Sequence, residues 1–335
     1  MENLDFKSPK RIRLILKISL FLIRIYCWTR QTKNKERMLA GVFIIPALLL
    51  LLPSFTFGLT LLQSFLFQAM LAYGFFSIIW ILKRHYRVAT TNFLIYILLL
   101  VKVNGPLDAT LNVRQGQEEL SVLQFNVLAT NTSYQSTIDR IEQLNPDLLS
   151  FQEVSPNWEK MLESNLRQSY PYYKIASNGD HHQGIAIFSK RPLSELEVYD
   201  WNGTLNITGK IQLRQESINF VSLHTRSPTT KERWKQRNKH LKILQEHISN
   251  GEGEFLVLGD FNTVPWDKRL VSFKSHTNLK DSRKRLTPTY PAWNPFVAQI
   301  PIDYILHSDG IGCDSLNAVK ITSDHKAILG SFLIK

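Results

Sequence analysis

The sequence predicts an α/β protein in two parts: a helical membrane region over residues 1–104, then a domain over 119–335 in which two packed β-sheets carry helices outside. Three observations lead to this expectation. Positive charge is concentrated in the first third, long charge-free apolar runs occupy the same third, and the remainder alternates short apolar runs with a few helical patterns.

Residues 1–104 hold 14 Lys+Arg against 3 Asp+Glu, a net of +11, which leaves +1 of the chain's +12 for residues 105–335. The basic pI near 9.6 therefore belongs to the apolar third, and the near-neutral remainder lacks the cationic field that marks a nucleic-acid-binding domain. A composition of 44% hydrophobic and 20% charged residues excludes a disordered or fibrous chain. Only Cys27 and Cys313 are present, one in each part, so no disulfide framework or thiol metal site exists.

Met38 to Phe57 gives twenty residues without a charge and Leu59 to Leu82 another twenty-four. Each is long enough to cross about 30 Å of hydrocarbon as a helix. Val88 to Val103 predicts a third span, with Lys102 at its end placed to snorkel. Leu14 to Trp28 is also apolar, but Lys17 and Arg24 fall on one helical face, which suits a helix lying in the interface; a fourth span there would invert the topology. Ten Lys/Arg precede Met38, and Lys83, Arg84 and Arg87 separate the second and third runs, whereas Pro53 to Gly58 has none. The cationic loops are expected in the cytoplasm, so three crossings deliver everything after Asn104 to the extracytoplasmic side, periplasmic or external.

Residues 105–118 are polar, with Gly and Pro and no periodicity, and read as a linker. The domain opens with an apolar run at Leu120 to Phe125, a helical pattern over Tyr134 to Leu144 and a second buried strand at Asp147 to Phe151. Apolar runs recur at 184–188, 205–213, 218–223, 255–258, 302–306 and 327–333, with a helical run over Lys231 to Ile248.

Each strand end carries a short polar signature: Asn126 after LQF, Gln152-Glu153 after LLSF, His224 after FVSL, Gly259-Asp260-Phe261-Asn262 after FLVL, Asp303 in PIDYIL, and Ser323-Asp324-His325 before KAIL. Acids and imidazoles at strand termini can converge on one rim. Carboxylates without thiols suit a hard, oxygen-seeking cation, Mg²⁺ or Mn²⁺, and leave the histidines for proton chemistry and charge stabilisation.

The ordered set FN, QE, GIAIFSK, SLHT, GDFN, IDYIL and SDH resembles the endonuclease/exonuclease/phosphatase superfamily over residues 120–335. The resemblance implies a four-layer α/β/β/α sandwich, here preceded by a helical transmembrane region, and metal-dependent cleavage of a phosphoester by in-line attack of water. By similarity Glu153 is the principal metal ligand, with Asn126 beside it on the metal or on a phosphate oxygen. Asp324 is a second ligand or an orienting group, and one metal or two remain open. Asp260 is the expected base, and with Asn262 it positions the attacking water. His325, paired with Asp303, would present a charged ring to the phosphoryl oxygens, and His224 would stabilise the same charge or protonate the leaving oxygen.

Where some relatives place an acid supporting the first histidine, this chain offers Gln183 after His181 and His182. Arg226 is either a phosphate ligand or a solvated arginine. Trp266 and Trp293 are expected to fill the core, and the basic run Lys231 to Lys242 to be a solvated helix face. The expected protein is thus a membrane-anchored phosphodiesterase of nucleic acid or phospholipid, its partners being that substrate and the lipid bilayer, with no obligate protein partner. Within that reading the alternatives are a nuclease acting on DNA or RNA and a phospholipid or sphingolipid phosphodiesterase; the rival from another class is a membrane scaffold that lost its chemistry, and no member of the core set is missing.

Overall fold

The computed structural model of the chain describes residues 32–107, 118–177, 183–214 and 216–334, together with Lys17, Ser19 and Leu20. The interfacial helix expected over 14–28, nearly all of the 105–118 linker, and His181 and His182 lie outside the described residues. The chain divides into two compact units, one of Met1–Leu52 with Ala69–Leu100 and one of Pro53–Gln68 with Val101–Lys335.

The apolar third contains α1 (Thr32–Leu51), α2 (Phe57–Ser64), α3 (Leu66–Leu82) and α4 (Tyr86–Asn104). In the first unit the ring of Phe43 meets Tyr73, Phe76 and Trp80, and the Ser77 hydroxyl donates to the Ala89 carbonyl at 3.0 Å. Helix α4 is by itself long and apolar enough to cross a bilayer.

The run 59–82, expected as one helix, is instead broken: α2 and α3 meet at an angle of 59°. Thr60 and Ser64 turn their hydroxyls back onto the carbonyls four residues earlier, at 3.0 Å each, which loosens a helix, and Phe65 leaves helical geometry at ψ 25°. Polar groups also tie Pro53–Gln68 to the rest of the second unit. Trp234 Nε1 donates to Thr60 Oγ1 at 3.1 Å, Trp266 Nε1 to the Gln63 carbonyl at 2.6 Å, and the Lys268 amide to Ser54 Oγ at 2.9 Å.

The second unit is built on two six-stranded sheets. The first runs in the order β11 (Ile311–Val319), β12 (Ala327–Ile334), β1 (Glu118–Asn126), β2 (Leu148–Gln152), β4 (Ile185–Ser189), β3 (Tyr172–Ala176). The second runs β5 (Leu193–Asp200), β6 (Leu205–Gln212), β7 (Ser217–His224), β8 (Phe255–Asp260), β10 (Asp303–His307), β9 (Lys280–Asp281). Pairs β1–β2 and β7–β8 are parallel and the others antiparallel.

Side-chain alternation then sorts the strands' residues into three apolar clusters. Leu120, Val122 and Leu148 of the first sheet pack against Ile218, Phe220, Leu256, Leu258 and Ile305 of the second. The intervening Leu123, Phe125, Leu149 and Phe151 face outward onto α5 (Tyr134–Leu144) and α6 (Pro156–Leu166), through Ile138, Ile141, Trp158 and Leu162. Val221, Leu223 and Val257 face outward onto α7 (Lys231–Asn250) and α8 (Lys268–Thr277), through Leu241, Leu244, Leu270 and Phe273. The layers are helix, sheet, sheet, helix.

Helix starts follow local chemistry: Thr230 caps α7 through the Arg233 amide at 3.2 Å, and Ser155 caps α6 with Pro156 in its first turn. The edge strands β3, β5 and β11 escape the sequence reading because they are largely exposed and show no clean apolar run. Two glycines are steric requirements. A Cβ at Gly184 would lie 1.8 Å from the Val154 carbonyl oxygen, and one at Gly259 would lie 2.0 Å from that of Leu223, so strands of the site can approach only without a side chain there.

Candidate active site

The same alternation that builds the inter-sheet core places the polar strand ends. Gln124 and Asn126 follow Leu120 and Val122 on the inner face of β1, Ser150 and Gln152 follow Leu148, Ser222 and His224 follow Ile218 and Phe220, and Asp260 follows Leu256 and Leu258. A period of two leaves these side chains no other face. Register then aligns them: His224 stands opposite Asp260 in the β7–β8 pair, and Asp260 opposite Asp303 in the β8–β10 pair. Asn126 stands opposite Gln152 on the other sheet. Hydrogen bonds join the two sheets beneath the site, with Gln124 Nε2 donating to Asp303 Oδ1 at 3.0 Å and the Ser150 and Ser222 hydroxyls 2.7 Å apart, while Gln124 Nε2 also donates to Gln152 Oε1 at 2.8 Å within the first sheet.

His325 enters from the bend before β12. Its Nδ1 lies 2.8 Å from Asp303 Oδ2 and its Nε2 lies 3.7 Å from Asp260 Oδ2. The loop is pinned by Ser323, whose hydroxyl donates to the Asn126 carbonyl at 2.8 Å and accepts from the His325 amide at 3.2 Å, while the Tyr290 ring lies against the imidazole at 4.8 Å. His224 Nε2 approaches Asp260 Oδ2 from the other side, also at 3.7 Å. Among the described residues its buried Nδ1 has no hydrogen-bond partner, nor has Gln183 Oε1.

Glu153 follows β2 with φ 56°, a left-handed backbone that costs a non-glycine residue of order 1 kcal/mol. Its Oε1 accepts from Asn126 Nδ2 at 3.0 Å and its Oε2 from the Ala129 amide at 3.3 Å. Asn126 Nδ2 also donates to Asp260 Oδ2 at 3.2 Å, and its Oδ1 accepts from the Leu128 amide at 3.0 Å, so this amide bridges two carboxylates. Asn262 is left-handed at φ 47°; its backbone amide donates to Asp260 Oδ1 at 2.8 Å and its Nδ2 to the Thr225 carbonyl at 2.9 Å. Asp324 Oδ1 accepts from Ser323 at 3.2 Å, and Arg226 Nη2 donates to the Gly203 carbonyl at 2.9 Å.

These residues surround a cavity of about 540 Å³, lined by Glu153, His224, Arg226, Asp260, Asn262, Asp324 and His325. Asp303 lies beneath it, fully buried. Burial, with the Asp303 carboxylate beside it, pushes the Asp260 carboxyl well above the usual range. Burial works to lower the His325 imidazole, but the Asp303 and Asp260 carboxylates outweigh it and hold the ring protonated. Burial lowers His224 despite the attraction of Glu153, and burial raises Asp324.

Three carboxylates, Glu153, Asp260 and Asp324, line one partly closed cavity above a fourth, Asp303, and burial pushes Asp260 and Asp324 towards the neutral form; a divalent cation would favour their charged forms. The oxygen-rich, thiol-free donor set fits Mg²⁺ or Mn²⁺. Among the described residues the donor atoms that gather most closely, all within 4.8 Å, belong to Asp260, Asp303 and His325 rather than to Asn126, Glu153 and Asp324. Asp303 already binds His325 and Gln124 through its two oxygens. Glu153 and Asp324 face the cavity, which makes them the better placed carboxylates for an ion that also meets substrate.

Sequence reasoning overlooked Gln124, Thr225 and Tyr290. Gln124 was accessible in principle, standing two residues before Asn126 on the same strand face; Tyr290 carries no local signal. Trp266 is buried as expected, but Trp293 is 63% exposed, a correction: it stands in the loop before β10, where no element covers it. In α7, Trp234, Arg237 and His240 are buried beneath an otherwise solvated basic face.

His240 accepts from or donates to Thr204 Oγ1 through Nδ1 at 2.8 Å, and burial, aided by the nearby His224, pushes its pKa down to about 3. The unfolded chain holds that proton at an ordinary value of 6.5, so stability is fully present above pH 6.5 and is lost as pH falls towards 3. This group alone should remove about 2 kcal/mol between pH 6.5 and pH 5. His224, His247 and His307 are lowered in the same sense, whereas Asp260, Asp324 and His325 are raised and act in the opposite one, so the share of His240 is read as a difference from the wild-type slope. Urea unfolding of His240→Gln across this window should show a slope smaller by about one proton; an unchanged slope would mean that His240 is protonated in the fold.

The model of the Endonuclease/Exonuclease/phosphatase family matches residues 109–325. No curated protein matches the chain at a significant level. Solved structures similar in fold include an endonuclease/exonuclease/phosphatase from Beutenbergia cavernae, with TM-score 0.56 and 14% identity over 65% of this chain and 72% of that one. A Bacteroides thetaiotaomicron protein of the same description gives TM-score 0.55 and 18% identity over 65% and 99%. D. rerio TDP2 complexed with a single-strand DNA product gives TM-score 0.54 and 17% identity over 64% and 99%.

Proposed function

The chain belongs to the endonuclease/exonuclease/phosphatase family, whose members are metal-dependent phosphoester hydrolases, and from that premise we propose that it is a membrane-anchored, Mg²⁺- or Mn²⁺-dependent phosphodiesterase. The observation that carries the reading is the single row His224–Asp260–Asp303, met by His325 on one side and Glu153 on the other, around one cavity.

Glu153 and Asp324 would hold the cation, with Asn126 keeping Glu153 in place. The ion would neutralise phosphate charge and polarise the phosphoryl oxygen. Asp260, its one oxygen engaged by the Asn262 amide, accepts the proton of the attacking water. The His325 ring, kept charged and aimed by Asp303, stabilises the negative charge that grows on the phosphoryl oxygens. His224, lowered by burial and facing Asp260, is suited to pass a proton to the leaving oxygen. Arg226, on the cavity wall, binds a non-bridging oxygen. The purified full chain is expected to release p-nitrophenol from bis-p-nitrophenyl phosphate with Mg²⁺ and to stop when the metal is chelated. Equal rates with and without metal would overturn the reading.

Anchoring is supported by α4, by the bent pair of α2 and α3, which is long and apolar enough only when taken together, and by the charge-free run Met38 to Phe57. The cation distribution supports a catalytic domain outside the cytoplasm, and the grouping of two segments in one unit bears on the number of crossings. Pro53–Gln68, the cation-free connection after α1, belongs to the same compact unit as the domain that follows α4. Both must then lie on one side of the membrane, which requires α3 and α4 to cross in opposite directions. Alkaline phosphatase fused after Lys335 should be active; an inactive fusion, with an active cytoplasmic reporter at the same place, would reverse the orientation.

A further inference from the structure

The segment Pro53–Gln68 lies outside the catalytic fold in sequence but forms part of the active-site cavity. Leu61, Ser64 and Phe65 line it directly, together with Arg226 and Glu153 and with the apolar Val264, Ile300 and Ile302. The segment contains no Asp, Glu, Lys or Arg. It is held in register by the indoles of Trp234 and Trp266 and by Gln68 Nε2, which donates to the Gln299 carbonyl at 2.9 Å. Phe67 meets the Phe296 ring edge-on at 5.9 Å, which joins the segment to the loop before β10.

Each of these anchors keeps the segment's apolar side chains from burying themselves. Leu61 remains 38% exposed and Phe65 56%, and the adjoining loop leaves Phe296 50% exposed. An isolated exposed leucine means nothing, but a run continuous with a hydrolytic cavity is a different matter. The lining thus combines carboxylate, imidazole and guanidinium groups with the apolar Leu61, Phe65, Val264, Ile300 and Ile302. A polynucleotide carries charge along its whole length and would meet no cation in Pro53–Gln68. An ester of phosphate with a hydrocarbon chain matches both kinds of group: the phosphate lies against the charged residues and the chain against Leu61 and Phe65. Chain connectivity supplies a further reason, since this segment leaves α1 and enters α3, the two apolar helices placed in the bilayer above.

We infer that Pro53–Gln68 is a substrate-binding wall and that the substrate is an amphiphilic phosphodiester, a lipid phosphodiester drawn from the membrane surface. The inference rests on the hydrolase reading and names its substrate class. The step itself is hydrolysis: water's oxygen bonds to phosphorus, the ester P–O bond breaks, one water proton passes to the enzyme and the leaving oxygen receives one.

The test is a series of p-nitrophenyl alkyl phosphates, methyl, butyl and octyl, given to the full chain in lipid nanodiscs with Mg²⁺. All members share one leaving group, so only the chain varies. kcat/KM should rise at least roughly tenfold from methyl to octyl, because each buried methylene favours the bound state. Leu61→Ser and Phe65→Ser, which leave the Thr60 and Gln63 contacts in place, should each reduce that ratio severalfold in the same nanodiscs. Thermal midpoints identify a variant that has lost its fold, and the wild-type series stands without either variant. A flat wild-type series overturns the inference. So does a rising series that neither variant alters, since partition into the nanodisc would then explain it, and so does faster cleavage of single-stranded DNA than of the octyl ester. Release of no p-nitrophenol from any ester is the separate failure, that of the hydrolase reading.

Discussion

Asp260→Asn is expected to lower kcat/KM for bis-p-nitrophenyl phosphate by about a thousandfold or more, with little change in KM. The carboxylate takes a hydrogen bond from the Asn262 amide on Oδ1, while Oδ2, which accepts from Asn126 Nδ2 at 3.2 Å, faces both imidazoles at 3.7 Å. The amide that replaces it keeps the shape and loses the base. His325→Ala should cost a similar factor, and the double variant little more than either single one, because groups that act on one transition state are not additive. Asp303→Asn reaches the reaction only through His325 and should lose less; it is a positioning residue, and its effect should show as a fall in kcat at pH values where the wild-type ring is charged. The metal-free thermal midpoint of Asp260→Asn should not fall, because the substitution removes one of two carboxylates buried side by side in the β8–β10 register. A large drop in stability with activity per folded molecule intact would make Asp260 structural.

Asp281→Ala is expected to be the most damaging single change to the fold, at about 3–5 kcal/mol. Arg283 is fully buried beside it. Its Nε lies 2.9 Å from Asp281 Oδ1 and its Nη2 lies 2.6 Å from Oδ2, while the guanidinium stacks on the Tyr304 ring at 3.9 Å. Removing the acid strands a charge that cannot reach water. Replacing both partners, Asp281→Leu with Arg283→Met, should recover most of the loss, since the pair's attraction roughly offsets its own desolvation. Urea midpoints of the two singles and the double decide it; a double variant as unstable as Asp281→Ala would mean that the site needs the charge itself. Tyr304 carries this pair to the active site, standing next to Asp303 and donating its hydroxyl to the Thr263 carbonyl at 2.8 Å.

Much of the domain was legible because its signals are local. Tyr134–Leu144 is helical over the span its Ile138 and Ile141 spacing predicts, and the runs at 218–223 and 255–258 lie in central strands that bury both faces. The edge strands were not legible, because solvent on one or both faces removes the apolar pattern. In the membrane region, hydropathy located the apolar runs but missed the break at Phe65, which is made by hydroxyl back-bonding and by two indole donors almost two hundred residues away in sequence.

Local order decided that Asn126, Glu153, His224, Asp260, Asp303 and Ser323 to His325 would stand at element ends, since apolar runs must stop where polar side chains begin, and strand alternation sends Asn126, His224, Asp260 and Asp303 to a common face. Tertiary structure alone decided that His224, Asp260 and Asp303 share one row, that Asn126 bridges Glu153 and Asp260, that His224 Nδ1 has no partner among the described residues, and that Leu61 and Phe65 join the cavity. The reason is physical: alternation is a property of one strand and is written in its own residues, whereas register, and the docking of a distant segment, depend on hydrogen bonds between pieces of chain whose sequences carry no mark of each other.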